Sequence, residues 1–303
     1  MASGTKKVIY AALLGNSLIS ITKFVAAAMT GSSAMLSEGI HSIVDTGNQV
    51  LLLHGLKQAE KPADEAFPFG YGKEVYFWSF IVAILIFALG GGISIYEGIK
   101  HIQHPSVITD PTINYIVLGL ALIFEGFAWY FAFREFRKAK GKWGYIEAIQ
   151  HAKDPSIFIV LFEDSAAMLG LLVAFAGIAL AQYTGIAMFD SIASIIIGLI
   201  LLGTSIWLAY ETKGLLIGES ADKEVVLRIR KMLIKNQIIE HVNEVLTMHM
   251  GPDYILANIS VDFRGSSSAD EIEDTIATLT ARIKKDSPQI KRIFIEAEKR
   301  KLG

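Results

Sequence analysis

The chain has 303 residues, 52% of them hydrophobic and only 19% charged, with a mean hydropathy of +0.44. That balance excludes an ordinary soluble globular protein. The net charge of −2 is segregated along the chain and so says little about partners, and the absence of cysteine excludes disulfides and thiolate metal ligands alike.

Six segments approach or exceed the roughly 20 residues that a membrane-spanning helix needs: 7–29, 33–57, 75–99, 112–134, 157–182 and 187–210. The first follows MASGTKK without a small-residue cleavage site, so it is expected to be an uncleaved membrane helix rather than a signal peptide. The second, Ser33 to Lys57, is apolar yet carries Glu38, His41 and Asp45 in its first half. Ionisable groups at membrane depth cost about 2.5–3.5 kcal/mol each on insertion scales, which makes them functional candidates by default. His41 and Asp45 are four residues apart and share a helix face. One imidazole nitrogen and one carboxylate oxygen facing the same way make half of a tetrahedral divalent-metal site.

The third segment holds Gly90, Gly91 and Gly92, which favour either a close helix approach or a kink. The fourth carries Glu125, for which a pairing with Lys23 of the first is expected; snorkelling of Lys23 is the alternative. The fifth carries the adjacent pair Glu163 and Asp164 in VLFEDSAAMLG. Neighbouring helical residues point about 100° apart, so both can flank one site but not face it equally. His41, Asp45 and Asp164, with Glu163 or a water, would complete a set suited to zinc and also to iron(II), manganese, cobalt or nickel. Glu38 is either a proton way-station or an interface residue, and Asp190 either guides cations or caps its own helix. Asn16 and Asn48 are expected to be interhelical donors, whereas His54, His101, His104 and His151 near helix ends are expected to be solvated.

Basic residues set the orientation. Lys6 and Lys7, then Lys57, Lys61 and Lys73, then Arg134, Arg137, Lys138, Lys140, Lys142 and Lys153 fall on one side, while the alternate connections hold only Lys100. By the positive-inside rule both termini are expected to be cytoplasmic, or on the equivalent side of an organelle membrane.

Beyond about residue 220 the pattern is that of a soluble domain. Residues 222–235 form an amphipathic helix with Val225, Val226, Ile229 and Leu233 on one stripe. Strands are expected at 242–250 and from Ile255 to Arg264, where Ile255, Ala257, Ile259, Val261 and Phe263 alternate with more polar positions, and the turn Gly251-Pro252-Asp253 lies between. Ser268 and Glu271 form a capping box for a helix with Ile272, Ile276, Leu279 and Ile283 inward, and a last strand runs from Ile290 to Glu296. Helix, strand, strand, helix, strand suggests an open-faced α+β sandwich.

These features together resemble the cation diffusion facilitators, proton-coupled exporters of divalent metals. The resemblance rests on H-x-x-x-D on the second helix, the acidic pair on the fifth, and Phe67-Pro68-Phe69-Gly70-Tyr71-Gly72-Lys73 before the third. Asp190 in FDSIASIIIG matches the family's D-P-x-x-S element with Ser191 for proline, and LFEDSAAMLG and KGLLIGESAD look most like the zinc transporter 9 branch and its bacterial relatives. The resemblance implies a six-helix transmembrane bundle over 1–212 and a cytoplasmic, ferredoxin-like αββαβ, metallochaperone-like domain over 213–303. It implies export of a divalent metal, zinc first and iron(II), manganese or cobalt as alternatives, by proton antiport, from a homodimer whose C-terminal domains meet. The lipid bilayer, metal ions and protons are the implied partners, in the inner membrane if the source is bacterial, with no resident cofactor and no nucleic acid. Val160 stands four residues before Asp164, where many members have a second histidine, which leaves room for harder metals. The tail is short of ligands: the last strand ends at Glu296 and Glu298, and His241 and His249 flank the preceding hairpin, which makes these four the candidates for a metal site there. A non-transporting metal sensor or scaffold is the rival reading. An enzyme is not expected, because no H-E-x-x-H or G-x-S-x-G occurs and no nucleophile sits beside a base.

Overall fold

The computed structural model describes residues 3–104, 111–140, 144–145 and 155–300. The chain divides into two compact units, Met1–Lys57 with Phe77–Thr212, and Gln58–Tyr76 with Lys213–Gly303.

The first unit is helical. Its elements are α1 (Ser3–Thr30), α2 (Ser33–Ala59), α3 (Glu74–Leu85), α4 (Ile93–Gln103), α5 (Pro111–Ala139), α6 (Pro155–Thr184) and α7 (Met188–Ile217). Between α3 and α4 the helix widens into π-helical turns at Ile86–Gly92, so that Glu74–Gln103 is one continuous 30-residue span. Among the described residues, four helices are long and apolar enough to cross a membrane: that span, Pro111–Lys138, Phe158–Thr184 and Met188–Ile217. The helices α1 and α2 have 28 and 27 residues and bury part of the same apolar core, through Ala26, Ala27, Met35 and Leu52. A chain with such helices is an integral membrane protein.

The glycines of the third span permit close approach. A Cβ on Gly91 would stand 3.1 Å from the carbonyl oxygen of Gly198, and one on Gly98 would stand 2.8 Å from that of Ser191. The backbones of α3–α4 and α7 therefore touch, as small residues allow between membrane helices. Gly90 and Gly91 thus serve the close approach, whereas Gly92 faces the Phe87 carbonyl of its own span, and the π turns accompany them. Polar cross-links join the helices: Thr30 Oγ1 donates to Asn114 Oδ1 at 2.9 Å, Tyr115 to Gln182 at 2.9 Å, and Trp129 Nε1 to Ser165 Oγ at 2.9 Å.

The second unit holds α8 (Lys223–Ile234), β1 (Ile239–Gly251), β2 (Tyr254–Phe263), α9 (Ala269–Asp286) and β3 (Ile290–Ala297). The sheet order is β1-β2-β3, with β1 antiparallel and β3 parallel to β2. The expected alternation on β2 holds for its apolar set: Ile255, Ala257, Ile259, Val261 and Phe263 are buried with Ile229, Leu233, Leu279 and Ile283. Ser260 is the exception on the other face, buried because it donates to Glu298 Oε2 at 2.8 Å and accepts from Asn243. The Ser268–Glu271 capping box is formed, and Asp222 caps α8 by accepting from the backbone N–H of Glu224.

The connection Gln58–Tyr76 groups with this unit for a visible reason. Gly72 lies against the backbone of Met250 and Gly251, where a Cβ would collide with the Met250 carbonyl oxygen. Lys73 Nζ reaches the Leu216 carbonyl at 3.5 Å. The connection is folded on itself: Asp64 accepts from the Phe67 N–H at 2.7 Å and the Tyr71 hydroxyl at 2.6 Å, and Lys61 lies over the Tyr71 ring.

Candidate metal-transport site

The α2 helix carries one polar face through the apolar first unit. Ser33, Ser37, His41 and Asp45 recur every four residues and Asn48 follows, the spacing that stacks side chains on one side of a helix. All five are buried.

Each has a neighbour supplied by another element. At the N-terminal end, Asp190 of α7 accepts from the Ser33 N–H at 2.6 Å, from Ser33 Oγ at 2.9 Å and from Ser32 Oγ at 2.5 Å. Asp190 therefore caps α2, a role beside the two expected from the sequence, guiding cations or capping its own helix; the free N–H groups of α2 attract the carboxylate across the interface. One turn on, Ser37 and Ser194 hydroxyls are 2.6 Å apart, and Ser194 donates to the Ser94 carbonyl.

Next comes the ion pair of Lys23 and Glu38, with Nζ 3.0 Å from Oε2 and neither side chain exposed. This corrects the expected Lys23–Glu125 pairing, and it also excludes snorkelling, since the ammonium ends inside the bundle. Glu125 is nonetheless buried and has Lys23, Asp45, His41 and Glu38 as its electrostatic neighbours.

His41 Nδ1 lies 3.2 Å from Asp45 Oδ1. The angles are not those of a hydrogen bond, so both ring nitrogens and Asp45 Oδ1 are without a hydrogen-bond partner among the described residues. Buried polar atoms are seldom left so. Asp45 adjoins Glu163 of α6, and Glu163 Oε1 accepts from Asn48 Nδ2 at 2.5 Å. Asn48 is thus the interhelical donor expected of it. Asp164 is half-buried, with Glu125, Asp45 and His41 as its electrostatic neighbours.

The structure therefore brings His41, Asp45, Glu163 and Asp164 to one interior region of the bundle. It does not draw them into a coordination sphere: among the described residues, no three His, Asp or Glu side chains form a group able to hold a metal ion. Val160 packs, partly buried, against the apolar core. His54 and His104 are exposed, His101 is half-buried 4.0 Å from Glu97, and His151 lies outside the described residues. In the second unit His241, Asn243, Glu244, Glu298 and Arg300 line an open cavity, whereas His249 is buried beside the Gly251 carbonyl.

A family model described as the cation efflux transmembrane domain matches residues 9–217, which is most of the chain. The chain belongs to the cation efflux family. Among its relatives in that family, the mitochondrial proton-coupled zinc antiporter SLC30A9 of Xenopus laevis is 34% identical over 264 residues, covering 86% of this chain and 47% of the relative. The human SLC30A9 protein is 33% identical over 265 residues, 86% of this chain and 46% of the relative. The manganese efflux system protein MneP of Bacillus subtilis is 24% identical over 291 residues, 96% of this chain and 95% of the relative. The chain spans about half the length of the SLC30A9 proteins it matches.

Two interactions escaped the reading of the sequence. The first is the Lys23–Glu38–Ser42 cluster, whose signal was a lysine and a glutamate in apolar segments joined by one short turn. The second is Asp190 on the α2 N-terminus, signalled by the serines Ser32 and Ser33 at the head of that helix.

Proposed function

We propose that this cation efflux family member exports divalent metal from the cytoplasm in exchange for protons, with zinc as the first substrate. The observation that carries the proposal is the set of partnerless buried donor atoms on His41 and Asp45, facing the acidic pair Glu163 and Asp164. A metal ion would take the imidazole of His41 and the carboxylates of Asp45 and Asp164, with Glu163 or a water as fourth ligand. Coordination requires these groups deprotonated, so metal and protons compete for the same atoms. Carboxyl groups crowded in an interior of low dielectric resist simultaneous ionisation, which makes protons the natural occupants once metal leaves. Alternating access of the bundle to the two sides would turn that competition into antiport.

In this reading six helices cross the membrane: α1, α2, the Glu74–Gln103 span, α5, α6 and α7. The lysine and arginine asymmetry supports cytoplasmic termini. The second unit is a cytoplasmic, ferredoxin-like domain through which two copies pair. The zinc assignment draws support from the SLC30A9 relatives, and it extends to them only over the shared half of their length. Manganese or iron(II) is the second reading, favoured by the MneP relative and by Val160 at the position one turn before Asp164, which leaves a single imidazole in an oxygen-rich set.

The deciding experiment is uptake of zinc, manganese, iron(II) and cobalt into proteoliposomes with an imposed pH gradient, with His41→Ala as control. Zinc uptake that needs the gradient and vanishes in the variant is expected. Metal binding without gradient-driven uptake would make the protein a sensor or scaffold instead.

A further inference from the structure

The buried ion pair on the α2 polar face has no role in the coordination set above. Lys23 and Glu38 are both 0% exposed, with Lys23 Nζ 3.0 Å from Glu38 Oε2 and 2.7 Å from Ser42 Oγ. Glu38 precedes His41 by three residues on α2, so the two side chains are neighbours on the helix surface, and Ser42 follows His41 directly. The other carboxylate oxygen, Glu38 Oε1, has no hydrogen-bond partner among the described residues. It is turned to Gly170 of α6, where a Cβ would collide with it. Glu38 is therefore seated between the two helices that carry His41, Asp45, Glu163 and Asp164.

Stability alone does not account for this arrangement. A buried ion pair loses in desolvation about what it gains by attraction, and apolar residues of similar volume often replace one without loss. Its position has a chemical consequence, however. A bare carboxylate one turn from His41 would be a strong ligand for any divalent cation that reached the imidazole. A tethered ammonium on that carboxylate removes it from the competition and sets a fixed positive charge beside the path.

We propose that Lys23 is a positioning residue for transport: a built-in counter-cation that holds Glu38 out of the metal's coordination, so that metal bound at His41 and Asp45 is released rather than trapped. This rests on the reading of those residues as metal ligands. Transport needs a site weak enough to leave, and the Lys23–Glu38 pair keeps the ligand count on α2 at two.

The test is zinc binding by calorimetry on the purified full-length protein in detergent, with gradient-driven zinc uptake measured in parallel. Lys23→Met frees Glu38, and should lower the Kd at least tenfold while slowing turnover. Glu38→Gln leaves an unpaired cation beside the site, and should raise the Kd at least tenfold. The double variant Lys23→Met with Glu38→Gln should return the Kd to within about threefold of wild type, and Lys23→Arg should keep wild-type affinity. A merely structural pair would weaken binding in both single variants, and that result, or an unchanged Kd in both, overturns the proposal. If Lys23→Met does not yield folded protein, Glu38→Gln decides, because affinity that is unchanged or tighter in that variant contradicts the role given to Lys23. Wild-type protein that transports zinc while the variants bind it alike would leave the transport reading standing and this one refuted. Wild-type protein that binds no zinc refutes both.

Discussion

The carboxylate of Asp190 on α7 is 2.6 Å from the backbone nitrogen of Ser33, the first residue of α2, and is 3% exposed. One buried charge therefore fixes the N-terminus of the helix that carries His41 and Asp45 to a helix more than 150 residues away in sequence. Hydrogen bonds to a charged acceptor contribute about 1.5–3 kcal/mol each, and a helix N-terminus adds a favourable dipole. Asp190→Ala takes the carboxylate acceptor away from the buried Ser33 N–H and from the Ser32 and Ser33 hydroxyls. The expected result is a fall of several degrees in the melting temperature of the detergent-solubilised protein, with zinc uptake reduced. Asp190→Asn keeps an acceptor oxygen and should recover most of the loss. A melting temperature unchanged in Asp190→Ala would show that the contact has no energetic weight.

The site residues predict the opposite balance of effects. Asp45 adjoins Glu163, and Asp164 has Asp45 and Glu125 as its acidic neighbours. Without metal these groups repel when ionised, so removing one relieves the protein while removing a ligand. Asp45→Ala and Asp164→Ala are each expected to lower gradient-driven zinc uptake to the background of empty liposomes, with melting temperatures no lower than wild type. Substantial uptake by either variant would take that residue out of the coordination set.

How much of this was legible in the sequence follows from the range of the interactions. The His41–Asp45 pair was legible because four-residue spacing fixes both side chains on one face of a helix, whatever surrounds it. The Ser268–Glu271 capping box was legible for the same reason. The partner of Lys23 was not. Glu38 and Glu125 are both acidic residues in apolar segments, and only the three-dimensional arrangement of the helices decides which of them meets the Lys23 ammonium. Asp190 stands out in the sequence as a charge at the head of an apolar segment, but its target is the end of another helix, which no local spacing encodes. The placement of Gln58–Tyr76 with the C-terminal residues has the same origin, since it depends on Gly72 meeting the backbone of Gly251, a contact between distant parts of the chain.

The connection that contains Phe67–Lys73 should respond to acid. The Tyr71 hydroxyl donates to Asp64, and with the Phe67 N–H it holds the Asp64 carboxyl below its ordinary range. A depressed carboxyl pKa contributes stability that is present above the unfolded-state value, near 3.9, and is lost as pH falls through the folded-state value. The connection should therefore keep its fold down to mildly acidic pH and loosen below about pH 4. Tyr71→Phe removes the largest cause of the shift, so the Asp64 titration followed by NMR should move upward towards the ordinary carboxylate range. A titration identical in wild type and variant would mean that the hydroxyl does not bond to Asp64 in solution.

Metal choice depends on the single imidazole. Imidazole favours zinc over manganese, whereas carboxylate oxygens discriminate less between them. The proposed set holds His41 as its one nitrogen, and Val160 stands one turn before Asp164 on α6, partly buried against the apolar core. Wild-type protein is accordingly expected to carry zinc alongside manganese, cobalt or iron(II). Val160→His places a second imidazole on the face of Asp164, because residues four apart stack on a helix. Competition uptake with equimolar zinc and manganese should then shift towards zinc by about tenfold, the ratio that corresponds to 1.4 kcal/mol. The side chain exchanged is apolar and partly buried, so the variant's melting temperature must be measured beside its uptake: a cost of about 1–3 kcal/mol for the larger polar group is compatible with a folded bundle. If wild type already rejects every metal except zinc and the added histidine changes nothing, then position 160 does not face the metal. Glu163, held by Asn48 and adjoining Asp45, would then be the α6 ligand, about 100° around the helix from Asp164.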